Sequence, residues 1–482
     1  MMINLSKYLL PALLFAMLPY SATGESLYAD LPEIGDSAGS SISPEQEKKL
    51  GAEFMRQLRQ SGIVLNNQEI TAYLNSLGQR LVANSEAPTK QFTFFVVNDP
   101  SINAFAGPGG YIGVHTGLFL ASENESELAG VLAHEIAHVT QRHLARAFEA
   151  ANNLSLPSMA AMLAAILVAT QNPDAGTAAI AAVSAGSLQY QINFTRANEY
   201  EADRVGIQTL GQSGLDSYGM PNFFERLQKN SRLYGSRPPE FLSTHPVTTN
   251  RIAEATSRAE SFPGGTVDSL DFQLVRAKLQ VLNYENPKQV VEDFERYMDK
   301  SENAKVYKVY EYALLLANTE KPGQALEILT KLHRNDPDRI VYRLDMARIH
   351  ESSGQYSRAM ELYKDALALY PGNLTILLPY TKTMLVAGKS AQAYKLLSDV
   401  SRDKYANPEI YKLLAEAAES TDRTVQSHDA MSQYYFLNGY TKQAIQQLQL
   451  AAKEPEASDY ETARIQARLK ELEALLEEEK KM

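Results

Sequence analysis

Apolar residues recur at helical spacing between Pro44 and Asn84, first as Leu50, Phe54 and Leu58, then as Ile70, Leu74, Leu77 and Leu81. This predicts two amphipathic helices. The pattern then changes. Phe92 to Val97 (FTFFVV) is aromatic and β-branched and stops at Asn98-Asp99-Pro100, which predicts a short strand closed by a turn. Asn103 to Gly117 (NAFAGPGGYIGVHTG) holds five glycines and a second strand, Tyr111 to Val114. Ser122 and Glu125 have the spacing of a capping box that opens the next helix. Asn198 to Leu210 returns to helical spacing.

After a break at Phe262-Pro263-Gly264-Gly265 the chain is helical to its end, and it repeats. Ala325, Ala359 and Ala393 are 34 residues apart, as are Gly354 and Gly388, and Pro337 and Pro371. Small residues at helix crossings and proline at the turn, at this period, resemble tetratricopeptide (TPR) repeats. Residues 352–373 carry the pattern best, through Gly354, Tyr356, Ala359, Ala366 and Pro371. Gly439 and Ala444 follow Gly388 and Ala393 by 51, so about 17 residues are inserted, and about four units are expected.

Two apolar stretches bear on location. Lys7 is the sole charge before Glu25, Tyr8 to Leu18 is apolar apart from Pro11, and Ser21-Ala22-Thr23-Gly24 is small. This is the form of a secretory signal peptide, with cleavage expected after about Gly24 and a periplasmic mature chain. Residues 25–43, rich in Ser, Gly, Asp and Pro, read as a poorly ordered arm. Residues 157–187 form two apolar halves split by Gln171-Asn172-Pro173-Asp174, each shorter than a bilayer span. They read as a buried helical hairpin; the functional alternative dips into a membrane or covers the active site.

Composition narrows the chemistry. The 482 residues carry 46 basic against 57 acidic side chains, a net charge of −11, with no basic stripe. A nucleic-acid partner is therefore not expected. There is no cysteine, so any metal site must use histidine and carboxylate. His134-Glu135-Ile136-Ala137-His138 meets that need. Residues four apart share a helix face, so His134 and His138 can reach one ion. Glu135 lies about 100° round the helix, beside the ion, where it can take a proton from a bound water. Asn198 to Asp203 (NEYEAD) offers a third ligand: Glu199 and Asp203 share a face, as a ligand and its orienting carboxylate should. Glu201 points about 200° away from Glu199, toward solvent or core. His143, nine positions after His134, falls on the opposite side of a continuous helix and outside the site, and His115 has no local partner.

HExxH followed some 60 residues on by E-x-E-A-D resembles the HtpX and CAAX-prenyl-protease family of zinc metallopeptidases. NAFAGPGG-YIGV-HTGL (103–118) resembles the strand before that family's catalytic helix. The likeness implies one Zn2+ per chain held by His134, His138 and Glu199, with Glu135 as base and Asp203 behind a ligand. It implies an edge strand from Asn103 to Tyr111 that takes substrate backbone, through Asn103, Ala104 and Phe105. It also points to His245, on a loop over the zinc, as an oxyanion helper or a block on the open position, and to Arg251 as an oxyanion or substrate contact.

The expected fold is mainly α: a zincin-like α+β metalloprotease domain with a small sheet (25–262), then an α-solenoid of TPR repeats (268–482). The domain order is similar to that of periplasmic proteases serving outer-membrane β-barrel assembly. That likeness implies unfolded or stalled outer-membrane proteins as clients and the barrel assembly machinery as TPR partner. The alternative is a TPR adaptor with latent proteolysis.

Overall fold

The structure, a computed structural model, describes residues 42–87, 90–150, 188–233, 239–300, 304–319, 321–401 and 407–480. The expected signal segment and the 157–187 hairpin lie outside them. Among the described residues no helix is long and apolar enough to cross a membrane.

Helices α1 (Pro44–Gln60) and α2 (Gln68–Ala83) open the fold. A Ser43–Gln46 capping box starts the first, and the Asn67 side chain accepts from the amides of Glu69 and Ile70 to start the second. The sheet has strands β1 (Thr93–Val97), β2 (Ala104–Ala106) and β3 (Tyr111–His115) in the order β1-β3-β2. β1 runs parallel to β3, and β2 pairs antiparallel with Phe105 opposite Gly113. β2 is thus an edge strand, but shorter than the expected Asn103–Tyr111. Pro108–Gly110 form a 3-10 turn in which Gly109 and Gly110 adopt φ of 70° and 78°, and Tyr111 already belongs to β3.

Helix α3 (Thr116–Ala121) leads to α4 (Glu125–Thr140). The expected Ser122–Glu125 box does not form. Ser122 donates its hydroxyl to Leu118 O at the end of α3, and Asn124 caps α4 by accepting from Glu127 N. Then come α5 (His143–Ala150), α6 (Leu188–Gln212), α7 (Gly219–Leu233), the short α8 (Glu240–Thr244) and α9 (Thr249–Ala259). α4 is buried almost end to end because α6 and α7 approach it over glycines. A Cβ on Gly130 would stand 2.8 Å from the Met220 backbone, and one on Gly206 would stand 3.1 Å from His134 N.

The helical second half begins with α10 (Leu270–Asn283). Phe272 and Leu279 of this helix enter the core built around α4, while Leu274, Ala277 and Val281 enter the next core. The repeat positions behave as their spacing requires: Ala325, Ala359 and Ala393 are wholly buried. Gly354 and Gly388 take φ of 71° and 73° at turns between helices.

Two polar clusters tie the halves together. Arg56 of α1 donates to Thr441 Oγ1 at 2.6 Å and to Glu479 Oε1 at 2.7 Å, with its guanidinium 4.4 Å from the Phe436 ring centre. Glu69 of α2 pairs with Lys278 and Arg348, and both cations also bond Asp345, at 3.0 and 2.6 Å. Burial alone would push the Glu69 carboxyl up, but the Lys278 and Arg348 charges prevail and hold it at about 2.

Breaking a buried pair strands its partner charges, at a cost of about 3 kcal/mol. Glu69→Ala should therefore lower the urea midpoint at pH 7 by a corresponding amount. The folded pKa lies below the ordinary 4.5, so this contribution is present above that pH and is lost as pH falls toward about 2. The gap between wild type and variant should close over that window; a gap unchanged at pH 2 would contradict the assignment.

Candidate metal centre

The HExxH turn of α4 sits at the bottom of the cleft, with His134 and Glu135 buried and His138 nearly so. One helical turn separates the two histidines, and their Nε2 atoms are 3.0 Å apart. The close passage of α6 at Gly206 brings Glu199 alongside, its carboxylate oxygens 3.5 Å from His134 Nε2 and 3.5 Å from His138 Nε2. His245, the C-cap of α8, completes the cluster. Its Nδ1 lies 3.4 Å from His134 Nε2 and 3.0 Å from Glu199 Oε1, and its Nε2 lies 3.5 Å from Glu135 Oε1.

These donors fit a metal ion. One ligand atom from each of His134, His138, Glu199 and His245 lies within 4.8 Å of the others. Ligands bound tetrahedrally at 2.0–2.1 Å from one ion stand about 3.3–3.4 Å apart. The separations above, 3.0 to 3.5 Å, bracket that value.

The electrostatics agree with a cation in the middle. Burial disfavours a charged Glu199, yet His245 and His134 hold its carboxyl far below the usual range. Burial likewise opposes a charged His134, but Asp203 and Glu199 raise its pKa to about 9. His138 is pushed well down by burial, with the His134 and His245 charges adding to the effect. Burial raises Glu135, against His245 and His134, and its Oε1 has no hydrogen-bond partner. A buried carboxylate with a free oxygen facing the cluster suits a proton acceptor.

Behind His134, Asp203 Oδ1 stands 3.0 Å from Nδ1, an ion-pair distance lying off the ring N–H axis. Arg251 is expected as an oxyanion or substrate contact. It is instead buried beneath the cluster, donating from Nε and Nη2 to Asp203 at 2.7 and 2.8 Å and standing 2.9 Å from Glu199. Two buried carboxylates need a fixed cation more than a substrate does.

One further expectation is corrected. His143 lies in the site, with Nδ1 2.8 Å from His138 Nδ1. Helix α4 ends at Thr140 and Arg142 takes φ of 54°, so the chain turns back instead of continuing round a helix. Glu201 accepts from His143 Nε2 at 3.1 Å and from Arg146 at 2.8 Å. His115, without a local partner as expected, meets Ser101 Oγ of the loop before β2 at 2.8 Å, and the same hydroxyl reaches Glu240 at 3.1 Å. Phe241 N also donates to Ile102 O at 3.1 Å, so α8 is fastened to the segment entering β2.

The cluster opens into a cavity of about 210 Å³ lined by Glu47, Phe105, Ala106, Glu135, His138 and His245 among others. A larger cavity of about 550 Å³ lies between α2 and the solenoid, away from this chemistry. Phe105 therefore faces the cleft, whereas Asn103 and Ala104 are buried, with Asn103 Oδ1 unpartnered. As a test of the arrangement behind His134, Asp203→Ala should weaken divalent metal binding about 10–100-fold in chelator competition. Unchanged affinity would mean that the carboxylate does not orient the ring.

Residues 68–259 match the family "Peptidase family M48", and residues 351–417 match "Tetratricopeptide repeat". The beta-barrel assembly-enhancing protease of Escherichia coli is 37% identical over 451 residues, 93% of this chain and 92% of that one. The putative beta-barrel assembly-enhancing protease of Vibrio cholerae is 36% identical over 446 residues, 92% of each chain. The mitochondrial metalloendopeptidase OMA1 of Arabidopsis thaliana is 31% identical over 201 residues, 41% of this chain and 38% of that one. A histidine–carboxylate cluster on HExxH, an M48 match over the helices that build it and likeness along almost the entire chain converge on one assignment: the chain belongs to peptidase family M48 and is a metalloendopeptidase with TPR repeats.

Proposed function

We propose that this chain is a periplasmic zinc endopeptidase that degrades unfolded or stalled outer-membrane β-barrel proteins, with the TPR half selecting clients or docking on the assembly machinery. The carrying observation is the cluster of His134, His138, Glu199 and His245 with the free Glu135 oxygen beside it. The names borne by its full-length relatives support the client class. In this reading residues 1–24 direct export, 25–262 form the protease and 268–482 the repeat domain.

His134, His138 and Glu199 would hold one zinc ion, which supplies Lewis acidity for the scissile carbonyl and makes a water acidic near neutral pH. Nitrogen and carboxylate donors without thiolate suit that ion. Glu135 takes the proton of the attacking water and passes it to the leaving amine, and its raised pKa strengthens it as the base in the first of these transfers. An extended substrate adds to β2, an edge strand among the described residues, at Phe105 and Ala106, which line the cleft. Phe105 lines the wall that its side chains meet.

His245 stands where a fourth ligand would, so substrate and water enter only once it leaves. This supports a latch. The same closure favours a second reading, in which the chain works mainly as a TPR adaptor and proteolysis stays silent until a client displaces His245.

Cleavage of an unfolded outer-membrane protein should separate these readings, with wild type, Glu135→Gln and His245→Ala compared and zinc measured on each. Glu135→Gln should keep zinc and lose activity about 10²–10⁴-fold. His245→Ala should cut faster than wild type. Slower cutting would make His245 a catalytic helper. No cutting by any zinc-loaded form would leave the adaptor reading alone.

A further inference from the structure

The two histidines of the HExxH turn are supported differently. Behind His134 stands a carboxylate, Asp203, clamped by Arg251. Behind His138 stands another imidazole. His143 Nδ1 is 2.8 Å from His138 Nδ1, the rings are 4.7 Å apart at 77°, and His143 Nε2 is 3.1 Å from Glu201 Oε2. Arg146 holds the same Glu201 oxygen at 2.8 Å. His143 is 5% exposed, so this is a packed contact rather than a surface coincidence.

Proton positions along this line follow from hydrogen-bond logic. His138 turns Nε2 toward the cluster, 3.0 Å from His134 Nε2 and 3.5 Å from Glu199. A metal there needs the Nε2 lone pair, which puts the His138 proton on Nδ1. That N–H needs an acceptor, and the atom it meets is His143 Nδ1. His143 must therefore be bare at Nδ1 and carry its proton on Nε2, where Glu201 accepts it. One arrangement satisfies every pair; with the opposite tautomer of His143, two N–H groups would face each other.

We infer that His143, backed by Glu201 and Arg146, is a positioning residue that fixes the tautomer and ring orientation of His138 for metal binding. This rests on the metal-ligand reading of His138. The device depends on Arg142: its left-handed backbone ends one helix and starts the next, placing a residue five positions after His138 against that ring. An imidazole spacer also keeps a further carboxylate, that of Glu201, away from Glu199 and Asp203. The negative charge of Glu201, on a side chain 30% exposed, acts on His138 only through a neutral ring.

The test measures zinc affinity of the full chain by chelator competition, together with the visible spectrum of the cobalt(II)-loaded protein. His143→Leu removes the acceptor and should weaken zinc about 10–100-fold and shift the cobalt bands. His143→Asn returns an oxygen near the Nδ1 position and should restore the wild-type spectrum with affinity within about threefold, which a merely space-filling role would not produce. Glu201→Ala, on a side chain 30% exposed, should give a smaller weakening and stands in should His143→Leu fail to fold. Wild-type affinity and an unshifted spectrum in His143→Leu, or in Glu201→Ala where it stands in, would overturn the relay. A wild-type chain that binds neither zinc nor cobalt would instead overturn the metal reading beneath it.

Discussion

Glu199, Asp203 and Glu135 share one buried volume with three histidines, and their mutual repulsion has to be offset before any chemistry is arranged. Arg251 supplies the fixed positive charge, with two bonds to Asp203 and one contact to Glu199. A guanidinium suits this place because it cannot lose its proton and its planar fork matches a carboxylate. With Asp203 held, His134 has an oriented partner on its polar side while Phe224 and Phe241 pack against its ring, and with Glu199 held, a buried carboxylate can remain charged. Most members of this polar network are paired; Glu135 Oε1 and His134 Nδ1 are without a hydrogen bond, the latter 3.0 Å from Asp203.

The packing that permits this is equally specific. Glycines at 130 and 206 let α6 and α7 lie against α4 at backbone distance. A side chain at either point would move α4 relative to the helix carrying Glu199, and donor separations near 3.3 Å leave little room for that. The His245 loop has its own anchorage: its short helix stacks Phe241 on His245 at 4.8 Å and bonds to the backbone before β2. The edge strand and the residue closing the cluster are thus parts of one connected surface.

The repeat half is built into the enzyme rather than hung from it. α10 contributes side chains to the cores on both sides, and the Glu69 and Arg56 networks bind α2 and α1 to separate repeat helices. Buried ion pairs of this kind contribute more to fixing a relative orientation than to net stability, because desolvation cancels much of their attraction.

The sequence by itself determined what is local. Helical spacing located α1 and α2, the 34-residue period located the buried alanines and turn glycines of the repeats, and an i, i+4 spacing paired His134 with His138 and Glu199 with Asp203. Those readings succeed because a regular helix fixes which residues share a face. Tertiary structure decided the rest. His143 was misplaced because one left-handed residue, Arg142, cancels the helical arithmetic. Gln141-Arg142 carries no glycine or proline to mark the break, so nothing in the sequence signals that the helix stops there. Arg251 was misassigned because only the docking of α9 beneath α6 reveals which of two charges, substrate or Asp203, it meets. His115 with Ser101 and Glu240, and Glu69 with Lys278 and Arg348, join segments far apart in the chain, where no periodicity relates them. Spacing carries direction along one element; contact between elements is set by how their faces pack.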